Sequence, residues 1–133
     1  MIVVFDTNVL IAAIITEGLC SKLLHRACIG EFSLISCPFI IKELGRILSR
    51  KFRLSQEEVK LSMEPIQEAI TQILEHDLEI EEICRDSDDD NILACAIAAN
   101  ADYLVTGDSD LLEIKKYHGV RIISPRNFEA LFV

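Results

Sequence analysis

Acidic residues recur in this sequence directly after short apolar runs or near the starts of predicted helices. They occupy four places along the chain: Asp6, Glu43, the run from Asp88 to Asp90, and Asp108 with Asp110. The carboxyl ends of parallel strands form one edge of a sheet, where ligands commonly bind. If these acids meet there, their oxygens suit Mg²⁺ or Mn²⁺ better than zinc. One or two such ions can promote phosphodiester hydrolysis.

Each acid also has a structural interpretation. Asp6 is well placed to cap a helix, and the acids before Asn91 suit the positive end of a helix dipole. Asp108 and Asp110 fit a turn, and Glu43 fits a solvated helix face. Only their joint placement at one predicted edge favours catalysis.

Three basic residues, Lys42, Arg46 and Arg50, follow one another at intervals of four and so share one face of a predicted helix. We call them the basic ridge. A basic surface beside an acidic metal site would suit a nucleic-acid backbone. The alternative is a solvated helix face opposite the apolar Ile40, Leu44 and Ile47.

Apolar strands alternate with amphipathic helices along the chain. We expect strands at 1–5, 32–37, 77–83, 103–106 and 120–123. Among the helices, one is expected to start at Pro38, and another to run from Ser55 as far as Glu75 with a kink or break at Pro65. A third is expected over 111–117. This alternation predicts one domain over 1–133, an α/β/α sandwich with a central parallel sheet of four or five strands.

The composition excludes several classes of protein. Half of the 133 residues are hydrophobic and 26% are charged, which excludes a disordered chain. No apolar run reaches the roughly 20 residues of a membrane span. A net charge of −9 disfavours non-specific coating of nucleic acid. Five scattered cysteines do not form a disulfide framework or a zinc ribbon, and no secretory leader is recognisable, so we expect a cytoplasmic protein.

Four segments together resemble the PIN-domain ribonucleases, in particular the small VapC-like toxins of toxin–antitoxin pairs. The matching segments are Val-Val-Phe-Asp-Thr-Asn-Val-Leu at 3–10, Ile-Lys-Glu-Leu at 41–44, Asp-Asp-Asp-Asn-Ile-Leu-Ala-Cys-Ala at 88–96 and Leu-Val-Thr-Gly-Asp-Ser-Asp-Leu-Leu at 104–112. No single segment is specific, but all four in this order and spacing form a strong signal.

The resemblance implies a sheet order of 3-2-1-4-5 and a Mg²⁺- or Mn²⁺-dependent endoribonuclease that leaves a 5′-phosphate and a 3′-hydroxyl. It also implies an RNA substrate, homodimers and silencing by a partner antitoxin. The implied catalytic acids are Asp6, Glu43, Asp90 and Asp108, with Asp110 adjacent. Among these, Asp6 and Asp90 are the expected direct metal ligands, and Asp108 also belongs to the expected metal set.

Further site residues follow from the same resemblance. Asn8 and Thr106 are the expected supporting polar groups, while Asp88 and Asp89 fit the family position less well than Asp90 does. The basic ridge is the expected RNA-binding surface.

Two alternatives to a nuclease remain. The segment around Asp6 also looks like the nucleophile motif of haloacid-dehalogenase-type phosphatases, but Asn8 stands where those enzymes need a second Asp. The other alternative is a non-catalytic PIN-like module that binds RNA or protein. Because all four acidic places are filled, a degenerate site is disfavoured.

Overall fold

A computed structural model describes residues 1–75 and 87–132, and the side chains of Ser87 and Asp88 lie outside that description. The strands are β1 (Ile2–Phe5), β2 (Ser33–Ser36), β3 (Ile70–Ile73), β4 (Tyr103–Val105), β5 (Lys116–Tyr117) and β6 (Val120–Ile123). The helices are α1 (Thr7–Ile15), α2 (Leu19–Cys28), α3 (Pro38–Arg50), α4 (Gln56–Ala69), α5 (Ser87–Ala98), α6 (Ser109–Ile114) and α7 (Pro125–Glu129), followed by a 3-10 turn (Ala130–Phe132).

These strands form one sheet in the order β3-β2-β1-β4-β6-β5. All neighbouring pairs are parallel except β5 with β6, which form an antiparallel hairpin. The predicted α/β class is therefore confirmed, and the order implied by the resemblance holds with β6 in fifth place. The hairpin strand β5 adds a sixth position at the edge, which the prediction of four or five strands lacks.

Consecutive residues of the central strand β1 are buried, which shows that both faces of the sheet are covered. Val3, Val4 and Phe5 are at most 1% exposed, although side chains alternate between the two faces along a strand. Such fully buried strands are typical of parallel sheets with helices on each side.

The chain between α3 and α5 departs from the sequence prediction. The capping box at Ser55 is present, since Ser55 and Glu58 exchange side-chain and backbone hydrogen bonds of 3.0 and 3.1 Å. The helix contains Pro65 but ends at Ala69, so the predicted continuation to Glu75 is wrong. Residues 70–73 instead pair with β2 as an exposed edge strand. The strand predicted over 77–83 lies outside the described residues.

A second departure concerns the chain after β4. The predicted helix over 111–117 ends at Ile114 as α6. Lys116 and Tyr117 pair with β6 instead, because Lys115 adopts a positive φ of 65° that terminates the helix.

The C-terminal helix α7 is fastened to α2 by charge and aromatic contacts. Arg26 donates two hydrogen bonds to the Glu129 carboxylate, at 2.9 and 2.6 Å, and its guanidinium lies 4.7 Å from the Phe132 ring centre. Phe128 packs edge-on against Phe32, with ring centres 5.1 Å apart. These contacts hold α7 against α2 and against the aromatic part of the core.

Within the described ranges, no single helix is both long and apolar enough to cross a membrane. Only α1 and α2 taken together reach that length and composition, and they are bent by 101° relative to each other.

Candidate functional site

The polar site begins where β1 ends. Asp6 is the next residue after the buried Phe5, and its backbone N–H donates to the carbonyl of Val105 at 2.9 Å, which extends the pairing with β4 by one step. The strand therefore fixes the backbone of Asp6, and its side chain is only 3% exposed. The predicted placement of Asp6 at the carboxyl edge of the sheet is observed.

A chain of hydrogen bonds joins Asp6 to the loop after β4. The Thr106 hydroxyl donates to Oδ2 of Asp6 at 2.6 Å and accepts the backbone N–H of Asp108 at 3.0 Å. Thr106 is fully buried, and its own N–H donates to Ile123 of β6 at 3.0 Å. One hydroxyl thus sets both the orientation of Asp6 and the path of the loop that carries Asp108.

Asp108 caps the N-terminus of α6. Its Oδ1 accepts the N–H groups of Asp110 at 2.8 Å and Leu111 at 3.4 Å. The structural interpretation of Asp108 as a turn residue is therefore correct. It does not exclude ligand binding, because both cap bonds use Oδ1 and leave Oδ2 for another partner.

Three carboxylates converge beside this cap. Asp89, Asp108 and Asp110 each offer an oxygen, and these three oxygens lie within 4.8 Å of one another. We call these residues the acidic cluster. Asp89 is buried on α5, whereas Asp108 and Asp110 are half-buried at the start of α6. Two helices entering from separate parts of the chain thus bring like charges together.

Burial and charge make ionised carboxylates costly here. The pKa of Asp6 is raised above its usual value, chiefly by burial and in a smaller part by the charge of Asp108. The Thr106 hydroxyl and the N–H groups of Thr7 and Asn8 oppose this rise, although Asp6 accepts no cap hydrogen bond with good geometry from α1. Unit charges at the cluster's spacing repel by roughly 3 to 4 kcal/mol at an effective dielectric near 20. A bound cation would offset both penalties.

The resemblance to the PIN-domain ribonucleases favours Asp90 over Asp89, and the structure brings Asp89 into the acidic cluster. Asp90 is also buried, at 4% exposure, and lies on the same helix. Consecutive helical residues point about 100° apart, so the two carboxylates leave α5 in different directions. The signal available in the sequence was an uninterrupted acidic run, which leaves this choice open. The metal-ligand role of Asp90 stays a prediction.

Glu43 and the basic ridge lie on α3. The Glu43 side chain is only 10% exposed, and its Oε2 lies 3.7 Å from Nη2 of Arg46, whose side chain is half exposed. Lys42 and Arg50 are exposed, while Ile40, Leu44 and Leu48 on the opposite face are buried. The basic ridge is therefore exposed on α3, as predicted. One of its cations, Arg46, is paired with Glu43, the predicted catalytic acid.

Among the remaining polar groups at this edge, Asn8 is exposed near the start of α1. Thr7 and Ser36 are buried at 1% and 3% exposure, and their hydroxyls find no hydrogen-bond partner among the described residues. Thr7 is the second residue after β1, and Ser36 is the last residue of β2, so unsatisfied hydroxyls lie near the acids where these strands end. Buried hydroxyls without partners are uncommon, and bound water often satisfies them.

The donor set suits a hard divalent cation. All three members of the acidic cluster are aspartates, and no histidine or cysteine belongs to it. Such oxygen ligands are typical of Mg²⁺ and Mn²⁺ sites, which commonly combine a few carboxylates with water and substrate phosphate. The residues present therefore fit the metal expected from the sequence.

Comparison with known proteins agrees with this fold. A family model described as a PIN domain matches residues 2–110. Among solved structures, the chain is similar to one in the crystal structure of VapBC2 from Rickettsia felis bound to a DNA fragment from their promoter, with a TM-score of 0.66. The two are 18% identical, and the match covers 93% of this chain and 98% of the other, a level of identity that shows the fold alone. A search of curated proteins finds no match.

Proposed function

The chain belongs to the PIN domain family, and from that premise we propose that it is a Mg²⁺- or Mn²⁺-dependent endoribonuclease. The observation that carries the proposal is the acidic cluster of Asp89, Asp108 and Asp110 beside the buried Asp6. Clustered like charges are costly and concentrate at functional sites, and a divalent cation is the simplest partner for these carboxylates.

The roles of the residues follow from their contacts. The acidic cluster would hold the cation, and Asp108 can do so through the oxygen that the α6 cap leaves unused. A bound divalent cation would supply Lewis-acid stabilisation of the phosphate and an activated water for attack at phosphorus. Asp6 is held by the Thr106 hydroxyl, so its carboxylate is oriented before substrate arrives.

The α3 helix is the proposed contact with the RNA backbone. Lys42 and Arg50 are exposed and can approach phosphates, and Arg46 would exchange its contact with Glu43 for substrate. That exchange would release the Glu43 carboxylate from its contact with Arg46. This arrangement suits a backbone contact rather than base recognition, because phosphate contacts position a nucleic acid without reading its sequence.

We further propose that the protein is the toxin of a toxin–antitoxin pair in the cytoplasm. The support is the similarity of its fold to a chain of the VapBC2 structure. A cognate antitoxin would then cover the acidic edge of the sheet. We extend the proposal to a homodimer, as the resemblance of the sequence implies.

Cleavage of mixed RNA by the purified protein tests the nuclease. We expect cutting with Mn²⁺ or Mg²⁺, none with EDTA, and loss of cutting in Asp6→Asn. The loss should exceed the 10- to 100-fold that typically follows removal of a group orienting a metal ligand. Glu64→Gln, at an exposed position of α4, is the matched control and should cut like the wild type.

The Asp6→Asn variant also has a stability signature. Because burial raises the pKa of Asp6, its ionisation destabilises the metal-free fold once the pH exceeds the usual value of 3.8 and approaches the raised one. At neutral pH, Asp6→Asn should therefore melt at a higher temperature than the wild type without metal. Wild-type cutting by this variant would disprove the site. RNA binding without metal-dependent cutting would favour the non-catalytic module.

A further inference from the structure

The β5–β6 hairpin carries an exposed cluster of positive charge that the proposed active site does not use. Residues 115–121 read Lys-Lys-Tyr-His-Gly-Val-Arg, with three of the chain's 13 Lys and Arg residues and no acid. We call this segment the basic hairpin. The chain as a whole has a net charge of −9, so this positively charged segment has the opposite sign to the rest of the protein.

The cations of the basic hairpin are available to a partner. Lys115, Lys116 and Arg121 are all exposed. None of them forms an ion pair with any residue that the structure describes, whereas Lys22, Arg26 and Arg46 each have an acidic partner. Exposed cations without partners on one short element are the electrostatic footprint of a polyanion site.

The turn of the hairpin presents an aromatic pair beside these cations. Tyr117 and Val120 are paired, so His118 and Gly119 form a two-residue loop, and both have positive φ, 49° and 83°. That is the pattern of a type I′ turn, which favours Asn-Gly, so His118 occupies its position at a conformational cost. Its ring lies 4.2 Å from the ring of Tyr117, measured between centres. Aromatic rings beside cations are what single-stranded nucleic acids stack on.

An open cavity adjoins the turn. It has a volume of about 320 Å³ and is lined by Met1, Asp102, Tyr103, Gly119 and Arg121. The one acid in this lining, Asp102, accepts a hydrogen bond from the N–H of Ile2 at 2.8 Å and does not pair with Arg121. The guanidinium of Arg121 is therefore left for an external anion at the rim of a concave surface.

The basic hairpin lies at the opposite end of β6 from the acidic cluster. Strand β6 runs from Val120, next to the turn, to Ile123, whose carbonyl accepts the N–H of Thr106. Four residues of strand span about 13 Å. One RNA strand of a few nucleotides can therefore contact both places.

We propose that the basic hairpin is an anchoring site for single-stranded RNA, separate from the site of cleavage. The inference rests on the proposed nuclease function, because RNA is the polyanion that such an enzyme must hold. Lys116 and Arg121 contact phosphates, and the Tyr117–His118 pair provides a surface for a base. An acidic protein segment would also match the charge, but the paired rings favour RNA.

Binding of a fluorescent single-stranded uridine oligonucleotide, measured by anisotropy in EDTA, tests this site. Cleavage needs metal in the proposed function, so this assay is independent of it. We expect Lys116→Gln and Arg121→Gln each to weaken binding and to reduce the slope of log K against log salt by about 0.7, the value for one lost phosphate contact on a single strand. Lys60→Gln, which removes an exposed cation from α4, should leave the slope unchanged.

The contribution of stacking has its own variant. His118→Asn keeps a residue that type I′ turns prefer and removes the ring. We expect weaker oligonucleotide binding with an unchanged salt slope, because stacking releases no counterions.

Wild-type affinity and slope in both glutamine variants would overturn the anchoring site, even if the protein cuts RNA. Selective loss of binding in those variants supports it, whatever the cleavage assay shows. Unchanged RNA binding together with lost binding of an acidic peptide would assign the basic hairpin to a protein partner instead.

Discussion

At the carboxyl edge of the sheet, Asp6 and Asp89 are buried and their neighbours are held by hydrogen bonds, whereas at the amino edge Lys116 and Arg121 are exposed. The same two strands, β4 and β6, connect these places. Buried like charges are costly and demand a tightly held partner, while exposed charges cost little and suit exchangeable contacts. The contrast matches the two proposals above, which place chemistry at one edge and capture of substrate at the other.

The difference is also visible in the backbone. At the carboxyl edge, the loop after β4 is fixed by the Thr106 hydroxyl and by the cap of α6. At the amino edge, a tight turn with positive φ at His118 and Gly119 positions the side chains. Preorganisation through buried side chains suits a catalytic site. A short turn suits the display of side chains to solvent.

The largest expected effect distinguishes two neighbouring acids at the carboxyl edge. Mn²⁺ at 100 times its dissociation constant should stabilise the wild type by about 2.7 kcal/mol. Asp89→Asn should abolish that stabilisation, because Asp89 belongs to the acidic cluster. Asp90→Asn, a matched change of charge on the same turn of α5, tests the ligand role that the resemblance implies for Asp90: loss of the stabilisation in this variant supports that role, and full retention assigns the site to Asp89 alone.

Thermal melting with and without Mn²⁺ measures both variants. Loss of the Mn²⁺-induced rise in melting temperature in Asp90→Asn but not in Asp89→Asn would exclude Asp89 as a ligand and support Asp90. If Mn²⁺ raises the melting temperature of both variants as much as that of the wild type, no carboxylate of α5 belongs to the metal site.

A smaller effect is expected for Thr106→Val, which keeps the size of the side chain and removes its hydroxyl. Asp6 loses the 2.6 Å hydrogen bond that orients it, and the N–H of Asp108 loses its acceptor. We expect RNA cleavage to fall 10- to 100-fold, the usual result of losing a group that orients a metal ligand. Thr71→Val, on the exposed edge strand β3, is the control.

Oligonucleotide binding in EDTA should not change in Thr106→Val, since the amino edge is intact. Equal losses of binding and of cleavage would mean that the two edges are not separable.

The smallest effect is expected where neither edge is involved. The Arg26 guanidinium lowers the pKa of Glu129 from its usual 4.5 to about 2. This pair therefore stabilises the fold fully above pH 4.5, and the contribution disappears as the pH falls from there to about 2. Glu129→Gln should show a small loss of stability at neutral pH that vanishes in acid.

Urea unfolding of Glu129→Gln and wild type at a series of pH values measures this difference. Cleavage and oligonucleotide binding by the variant should match the wild type at temperatures where both are folded. A difference in stability that grows toward acid pH would have the wrong sign for a carboxylate with a lowered pKa.

The sequence predicted most of the sheet because its central strands are short, apolar and followed by polar turns. It failed at β3, since residues 70–73 are mostly exposed and lack the apolar pattern of a buried strand. Helix α4 also continues through Pro65, so this proline does not mark the end of the helix in the sequence. The strand forms because pairing with β2 supplies its hydrogen bonds. Pairing between distant segments cannot be predicted from the local sequence pattern.

The basic hairpin shows a similar limit. The sequence predicts a short helix that runs from Leu111 through Tyr117. The helix stops at Ile114, and the next residues pair with β6. A strand of two residues has too little sequence to show a period, so tertiary pairing decided its conformation.

The sequence by itself determined that carboxylates gather at one edge, because strand ends and helix starts place Asp6, Asp108 and the run before Asn91 there. It could not determine which member of that run joins Asp108 and Asp110. Adjacent residues on a helix point about 100° apart, and the rotation of α5 is set by its packing on the sheet. Tertiary structure therefore selected Asp89 for the acidic cluster, since packing alone fixes which side of a helix meets its neighbour.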